Sequence, residues 1–250
     1  MNYFDIKNFK SHFLTNFICK DIIYFKTIDS TNNYANLIEK KFLECSGAAS
    51  LANLINLEKI KDLNGTLIIS EEQTSGRGRG KNTWTSNKGG LWFTLILKIS
   101  KKVNNEIKNN VNLINLIMAT SIYEALEKET TQKFKIKWPN DILYEDKKIC
   151  GILSERNPIN ENESFINIGV GININNDISA LNNKILTQNN KINGLPLKNA
   201  TSLKTILKKE VEREKILLNI LINFNNNYEF YLETNNLKAL LKNINYTFLI

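Results

Sequence analysis

The sequence predicts an α+β fold in which helices pack against one mixed β-sheet. Short segments rich in β-branched and aromatic residues, which favour strands, alternate with segments of helical periodicity. One of them, LWFTLILKI (91–99), is apolar on both faces, as expected of a strand at the centre of a sheet. At 250 residues, 42% hydrophobic and 23% charged, the chain has ordinary globular composition and no repeat of fixed period. We therefore expect one continuous domain to about residue 235.

In the first half of the chain, DIIYFKTI (21–28) predicts a strand that leads directly into a helix. Asp29, Ser30 or Thr31 can cap this helix, because their side-chain oxygens accept hydrogen bonds from free backbone N–H groups. The helix repeats apolar side chains at 3.6-residue spacing: Tyr34, Leu37, Ile38 and Phe42. After a polar connection near 56–65, TLIIS (66–70) predicts a second strand, which delivers the chain to a glycine-rich loop.

The remaining elements follow the central strand. A helix with one continuous apolar face is predicted over 111–128 and a long terminal helix over 212–232. Between them the sequence predicts short strands at 133–138, 141–145, 147–155 and 164–174. Residues 175–200 are polar and rich in Asn, and we expect a loop there.

Composition narrows the chemistry. The net charge of +8 and pI near 9.2 favour an anionic partner, either nucleic acid, a membrane surface, a phosphate-bearing small molecule or an acidic protein, although a lysine-biased solvated surface also explains them. Three cysteines without a C-x-x-C pattern suggest neither a disulfide framework nor a zinc site, which favours a reducing compartment. A single histidine, His12, nearly excludes Ser-His, Cys-His and His-rich metal chemistry.

The longest apolar runs are about half the ~20 residues of a membrane span, and the N-terminus lacks a secretory pattern. We expect a cytoplasmic protein, or alternatively an organellar one.

The stretch QTSGRGRGKNTW (73–84) concentrates rare residues. The chain has only four arginines, and Arg77 and Arg79 lie within this stretch, alternating with glycines. Glycine lets backbone amides approach an anion, while the arginine fork grips phosphate or carboxylate bidentately. The pattern is neither a Walker loop nor a dinucleotide fingerprint. An RNA-contacting turn or a plain exposed loop remains open from these residues alone.

A second stretch, KWPNDILYEDKKICGILSE (137–155), places polar groups at a fixed corner. Pro139 ends the preceding strand and restricts Trp138 to an extended conformation, so Asn140 and Asp141 follow at a defined position. These two side chains suit a phosphate, a metal or an attacking amine, and they also suit an ordinary turn. Lys148 points inward if its strand alternates normally, and with two arginines it would collect negative charge.

Five stretches, in this order and spacing, resemble the catalytic domain of biotin protein ligases: STN (30–32), QTSGRGRGKNTWTS (73–86), KWPNDI (137–142), KKICGIL (147–153) and GVGININ (169–175). The combination is far more specific than any one motif. The resemblance covers roughly residues 22–235 and implies the biotin/lipoate ligase-like fold, with a largely antiparallel sheet. It divides the chain into an N-terminal extension (1–20), a catalytic domain (21–235) and a C-terminal remnant (236–250) in which the family's small β-barrel domain is absent or truncated.

The resemblance also implies site residues. Those for biotin are Ser30, Thr31, Asn32, Gln73, Gly76, Arg77, Gly78, Arg79, Lys148 and Gly151, and those for ATP are Arg77, Arg79, Lys81, Trp84, Asn140, Lys148 and Asn173. Catalytic roles are implied for Lys148, Arg77, Arg79 and Asp141. Asp141 is also the implied ligand of a magnesium ion. The glycine-arginine loop is expected to close over the intermediate.

The implied reaction has two steps. Biotin and ATP give biotinyl-5'-adenylate and pyrophosphate, and a lysine of an acceptor protein then takes the biotin and releases AMP. The implied acceptor is a carboxylase carrier domain. A DNA-binding repressor role is not expected, since the first 20 residues are too few for a helix-turn-helix ahead of Ser30. No membrane partner is expected either, and a homodimer is allowed.

Two rival functions remain open. Lipoate protein ligases and octanoyltransferases share the implied fold, but they do not show the G-R-G-R-G and K-W-P-N-D-I stretches in this form. A non-catalytic RNA-binding domain would use the loop as a basic contact, and it would need aromatic stacking platforms. The three tryptophans, Trp84, Trp92 and Trp138, instead lie near the proposed ligand motifs in sequence.

Overall fold

The computed structural model describes residues 3–12, 18–44, 60, 62–101, 105–179, 191–192, 195–196, 200–242, 244 and 246–247. The helices are α1 (Ile6–His12), α2 (Thr31–Glu44), α3 (Asn105–Asn109), α4 (Val111–Thr130), α5 (Leu203–Leu207), α6 (Arg213–Thr234) and α7 (Leu237–Leu240). The strands are β1 (Ile22–Ile28), β2 (Leu67–Gln73), β3 (Leu91–Ser100), β4 (Lys135–Lys137), β5 (Asp141–Tyr144), β6 (Lys147–Pro158), β7 (Glu163–Ile172), β8 (Lys191–Ile192), β9 (Leu195–Pro196) and β10 (Tyr246–Thr247).

Eight of the described strands form one sheet in the order β1-β2-β3-β7-β6-β5-β4-β10. Only the pairs at the two edges, β1 with β2 and β10 with β4, are parallel. The pairs between them are antiparallel, and the β3–β7 pair is the longest, joining Leu91–Ser100 to Ile172–Glu163. The predicted mixed, largely antiparallel sheet is therefore confirmed, and LWFTLILKI lies inside it as expected.

The two faces of the sheet bury two different cores. Successive residues of a strand point to opposite faces, and in β3 the neighbours Leu95 and Ile96 belong to separate clusters. The larger cluster lies on the face of Leu95, against α4 and α6. The smaller cluster lies on the face of Ile96, and α2 contributes Tyr34, Ala35 and Ile38 to it. The helices thus flank the sheet on both sides.

Every predicted helix and strand is present, with ends that differ by three residues or fewer. The short elements α1, α3, α5, α7, β8, β9 and β10 were not expected, because segments of two to seven residues carry too little periodicity. Residues 56–59 and 61 of the first predicted connection lie outside the described residues. So do 180–190, 193–194 and 197–199 of the second, as does the side chain of His12.

The segment expected to be an N-terminal extension contributes to the larger core. Phe4, Phe9 and Ile18 are all buried in it, and the rings of Phe4 and Phe9 meet edge to face at 5.4 Å. Phe4 also donates its backbone N–H to the buried carboxylate of Glu71. Within the described part of the chain, no helix has both the length and the apolar character that crossing a bilayer would need.

Candidate active site

The glycine-arginine loop folds as a narrow hairpin, which we call the arginine loop (residues 76–84). An antiparallel bridge joins Arg77 to Thr83, and the backbone N–H of Trp84 donates to the carbonyl of Gly76 at 2.8 Å. A Cβ on Gly76 would lie 2.3 Å from the Trp84 carbonyl oxygen, so only glycine fits there. Gly80, at the turn of the hairpin, has φ of 63°, which glycine adopts without strain. The glycines therefore serve the shape of the loop.

The indole of Trp84 lies on two glycines of neighbouring strands. Gly151 of β6 and Gly171 of β7 are register partners, and a Cβ on either would approach the indole to 2.8 and 2.4 Å. Trp92 supports the same indole edge to face, at 6.4 Å between ring centroids. The Trp84 Nε1 atom is buried with no hydrogen-bond partner among the described residues. Trp138 is partly buried and packs against the larger core.

Lys148 reaches the same place from β6. Its Nζ lies 2.7 Å from Oδ1 of Asp141 and 5.0 Å from the centroid of the Trp84 ring, within range of a cation–π contact. Its side chain also passes the position that a Cβ of Gly151 would occupy, at 3.2 Å. The pairing of β5 with β6 shifts register between Ile142 and Leu143, opposite this part of β6.

Lys148 was expected to point inward if β6 alternates regularly, but the register shift shows that β6 does not alternate regularly here. Under regular alternation, Lys148 would share a face with Ile152, which belongs to the larger core, and Gly151 would lie on the opposite face. An extra residue in one strand moves the following side chains to the other face. Lys148 therefore lies beside Gly151 and Trp84, on the face opposite Ile152.

The two loop arginines have different surroundings. Arg77 binds Glu155 through both terminal nitrogens, at 2.9 Å from Nη1 and 2.5 Å from Nη2, and it also donates to Asn33 Oδ1 at 3.1 Å. Arg79 makes one long contact, 3.4 Å, to Asn140 Oδ1. Asn140 is fixed by Ile152, since its Nδ2 donates to the Ile152 carbonyl at 2.9 Å and its own carbonyl accepts from the Ile152 N–H at 2.8 Å. Arg79 also lines a cavity of about 220 Å³ against the start of α4.

The STN segment lies at the start of α2, where its three side chains are buried. Ser30 precedes the helix, with its Oγ 3.5 Å from the Asn33 N–H. Thr31 donates its backbone N–H to Gln73 Oε1 at 2.9 Å, and Gln73 Nε2 donates to Ser86 Oγ at 2.7 Å. These bonds tie the end of β2 to the start of α2.

Asn32 uses both ends of its amide within the protein. Its Oδ1 accepts from Thr94 Oγ1 at 2.6 Å, and its Nδ2 donates to the Leu153 carbonyl at 3.2 Å and to Glu155 Oε2 at 3.1 Å. A Cβ on Gly169 would lie 2.0 Å from Asn32 Oδ1, so the amide lies flat against β7. This residue is a rigid part of the wall between α2 and the sheet.

Asn173 and Lys81 are the other two residues expected from the sequence to bind ATP. Asn173 follows β7 two residues after Gly171 and is buried, and its Oδ1 accepts from Asn176 Nδ2 at 3.0 Å. Lys81 is exposed at the tip of the arginine loop. The structure thus gathers Lys148, Asp141, Trp84 and Gly151 closely.

Three residues of the site were not predicted from the sequence. Glu155 holds Arg77, Thr94 orients Asn32, and Ser86 binds Gln73. For Glu155 a signal existed, because Gly151, Leu153 and Glu155 alternate along β6 and share one face. No local pattern marks Thr94, whose partner Asn32 lies 62 residues away, and Ser86 lies 13 residues after Gln73 without a spacing that predicts their contact.

The cluster is suited to hold anions rather than a structural metal. Lys148 lies over the ring of Trp84, and Arg77 and Arg79 lie on the loop that carries this indole. Phosphate and carboxylate groups are the natural ligands of such cations. Among the described residues, no group of three His, Cys, Asp or Glu side chains could hold a metal ion. Such a site can bring two anionic reactants together and stabilise charge as it develops.

Comparisons with known proteins place the chain in one protein family. The model of the biotin/lipoate A/B protein ligase family matches residues 49–173, half of the chain. The bifunctional ligase/repressor BirA of Bacillus subtilis is 31% identical over 172 residues, which cover 67% of this chain and 47% of that protein. The human biotin–protein ligase is 31% identical over 139 residues, covering 54% of this chain and 19% of that protein.

One solved structure is similar over most of the chain. The biotin protein ligase from Aquifex aeolicus in complex with biotin and ATP has a TM-score of 0.58 and 26% identity, covering 86% of this chain and 73% of that one. The chain spans about half the length of the Bacillus protein that it matches.

Proposed function

Because the chain belongs to the biotin/lipoate A/B protein ligase family, we propose that it activates biotin with ATP and transfers the biotin to a lysine of an acceptor protein. The observation that carries the proposal is the placement of Lys148 beside Asp141, over Trp84 and next to the arginine loop. The similarity to proteins named biotin–protein ligases, and to one in complex with biotin and ATP, supports biotin as the substrate.

In the first step, a carboxylate oxygen of biotin attacks the α-phosphorus of ATP. The bond to the bridging oxygen of pyrophosphate breaks, and biotinyl-5'-adenylate forms. Two anions must approach each other in this step, so their repulsion and the developing charge set much of the barrier. Lys148 and Arg79 supply positive charge there, and the Trp84 surface supports the ligand between the strands.

In the second step, the amine of the acceptor lysine attacks the carbonyl carbon of the mixed anhydride. The bond to the adenylate oxygen breaks, AMP leaves, and the nitrogen loses a proton. Asp141 is the carboxylate that orients this amine, since it stands at the corner where β5 begins. No nucleophile from the protein is needed, which agrees with a site whose polar residues are mainly cations and amides.

Magnesium fits this site only as a companion of ATP. Asp141 and Asn140 offer one carboxylate and one amide oxygen, and Mg²⁺ in such sites takes one or two carboxylates together with substrate phosphates and water. When bound, the ion would neutralise phosphate charge.

The wider assignment follows from the same family. We propose that 21–235 is the catalytic domain, that the acceptor is a carboxylase carrier domain, and that the reaction takes place in a reducing compartment, in the cytoplasm or an organelle. The thiols of Cys19 and Cys150 are free, which is compatible with that environment. We also propose that Ser30, Thr31, Gln73 and Gly76 line the biotin end, with Asn173 and Lys81 toward ATP.

The test is to incubate the protein with biotin, ATP and a carboxylase carrier domain and to detect biotin on the carrier with labelled streptavidin. We expect biotinylation that needs ATP and is lost in Lys148→Ala. A parallel reaction with lipoate separates the two branches of the family. Attachment of lipoate without attachment of biotin would move the chain to the lipoate branch.

A further inference from the structure

Glu155 is the point at which the arginine loop, α2 and the sheet meet. Its Oε1 accepts from Arg77 Nη2 at 2.5 Å, and its Oε2 accepts from Arg77 Nη1 at 2.9 Å and from Asn32 Nδ2 at 3.1 Å. Both carboxylate oxygens are therefore used within the protein. This argues against a role for Glu155 as a base or as a direct ligand contact.

The contact with Arg77 has the geometry of a strong ion pair. The two parallel N–H···O bonds form the bidentate arrangement that gives arginine–carboxylate pairs their directional specificity. The pair is partly screened from water, with side-chain exposures of 38% for Arg77 and 23% for Glu155. Arg77 also donates to Asn33 Oδ1, so its guanidinium is held from two elements at once.

The other partner of Glu155 is rigid. Asn32 is 4% exposed, and Thr94, Leu153 and Gly169 fix its amide from three directions. Because Asn32 cannot move without breaking these contacts, it fixes where the Glu155 carboxylate lies. Glu155 in turn fixes Arg77.

Arg79 provides the contrast within the same loop. Its one described hydrogen bond is the 3.4 Å contact with Asn140, and its side chain borders a cavity of about 220 Å³. A guanidinium with one weak contact is available to a ligand. The guanidinium of Arg77 is already committed to Glu155.

We propose that Glu155 is a positioning residue of the arginine loop, which it anchors through Arg77 so that Arg79 and the loop backbone face the ligand. The inference rests on the proposed biotin-activating function, and it assigns separate tasks to the two loop arginines. Arg77 holds the loop in place, and Arg79 meets the anion. Glu155 acts through Arg77 and not on the reacting atoms.

The first arm of the test needs no ligand. Arg77, Arg79 and Lys81 are trypsin sites, and an anchored loop resists cleavage. We expect trypsin to cut at these sites faster in Glu155→Gln and Glu155→Ala than in the unsubstituted protein. Glu155→Asp, which keeps the charge, should recover part of the protection. Glu163→Gln is the matched control, because Glu163 lies on β7 and pairs with Lys98 away from the loop.

The second arm measures the rate at which biotinyl-adenylate leaves the protein. We expect about tenfold faster release for Glu155→Ala and for Arg77→Ala, and no further increase in the double variant, because both changes remove one shared interaction. Arg79→Ala combined with Glu155→Ala should show a larger effect than either change alone, because Glu155 also holds the loop backbone against the ligand. A merely structural role for Glu155 would not produce this difference between the two arginines.

The outcomes separate the two proposals. If the unsubstituted protein makes no adenylate from biotin while Glu155→Gln is cleaved faster, the proposed function fails and the anchoring of the loop stands. If adenylate forms but cleavage and release are the same with and without Glu155, the inference is wrong and the function stands. Should Glu155→Ala not fold, the isosteric Glu155→Gln decides both arms.

Discussion

Nζ of Lys148 lies 2.7 Å from Oδ1 of Asp141 in the candidate site. The cation that we assign to the anionic groups of the ligands is thus paired with the carboxylate that we assign to the incoming amine. An anionic ligand must either share Lys148 with Asp141 or displace Asp141 from it. The two steps of the proposed reaction are therefore linked through this pair.

Lys148→Ala should lower adenylate formation about 10²- to 10³-fold, because a charge that stabilises the transition state is lost. Single-turnover experiments measure this rate of adenylate formation. Asp141→Asn should affect transfer to the acceptor more than adenylate formation. Equal losses in both steps for Asp141→Asn would contradict the separate roles of the two residues.

Gly171→Ala should disturb the site through Trp84. The new Cβ would lie 2.4 Å from Trp84 Nε1, so the indole must move away from the sheet. Misplacement of a binding surface by about 1 Å can cost a factor of about 10² in rate. We expect a loss of that order in adenylate formation while the far-ultraviolet circular dichroism stays unchanged. An unaltered rate would show that the indole does not support the ligand.

Glu39 should make stability depend on pH. It is 2% exposed, its Oε1 has no hydrogen-bond partner among the described residues, and burial raises its pKa to about 7. The folded state therefore keeps the proton above about pH 4.5, where the unfolded state loses it, so stability falls as the pH rises from about 4.5 through about 7.

The side chain in Glu39→Gln stays uncharged at every pH. The free energy of unfolding of this variant should therefore rise relative to that of the unsubstituted protein, by up to about 3 kcal/mol, between pH 4.5 and 8. Urea unfolding at several pH values measures the difference, and exposed Glu161→Gln serves as control. Parallel curves for Glu39→Gln and the unsubstituted protein would rule out a raised pKa.

Arg213→Met should destabilise the fold by about 3–5 kcal/mol, because it leaves a buried carboxylate without its cation. Arg213 Nη1 lies 2.9 Å from Glu71 Oε2, and both side chains are almost fully buried. Adding Glu71→Gln to Arg213→Met should restore part of the loss, since the unpaired charge is then removed. Urea unfolding gives the free energy of unfolding of both variants. A loss below about 1 kcal/mol for Arg213→Met would show that other groups stabilise the Glu71 carboxylate.

Much of the fold could be predicted from periodicity. The all-apolar strand at 91–99 and the helix at 111–128 depend on local patterns that burial enforces, and both form as expected. The short helix α1 could not be predicted, because its place in the core depends on Phe4 meeting Glu71 and Arg213 from distant parts of the chain.

The site was predictable in composition but not in geometry. The arginine loop and Lys148 stand out as rare or well-placed residues, whereas the register shift that turns Lys148 toward Trp84 depends on the pairing of β5 with β6. The division of labour between Arg77 and Arg79 depends on Glu155, which is separated from the loop by more than seventy residues. Contacts across such distances leave no mark in local sequence.

If this chain joins biotin to AMP, it should catalyse the exchange of labelled pyrophosphate into ATP, and this exchange can be measured without an acceptor protein. We expect exchange that requires biotin, is not supported by lipoate, and is lost in Lys148→Ala. Full exchange with lipoate and none with biotin would contradict this expectation.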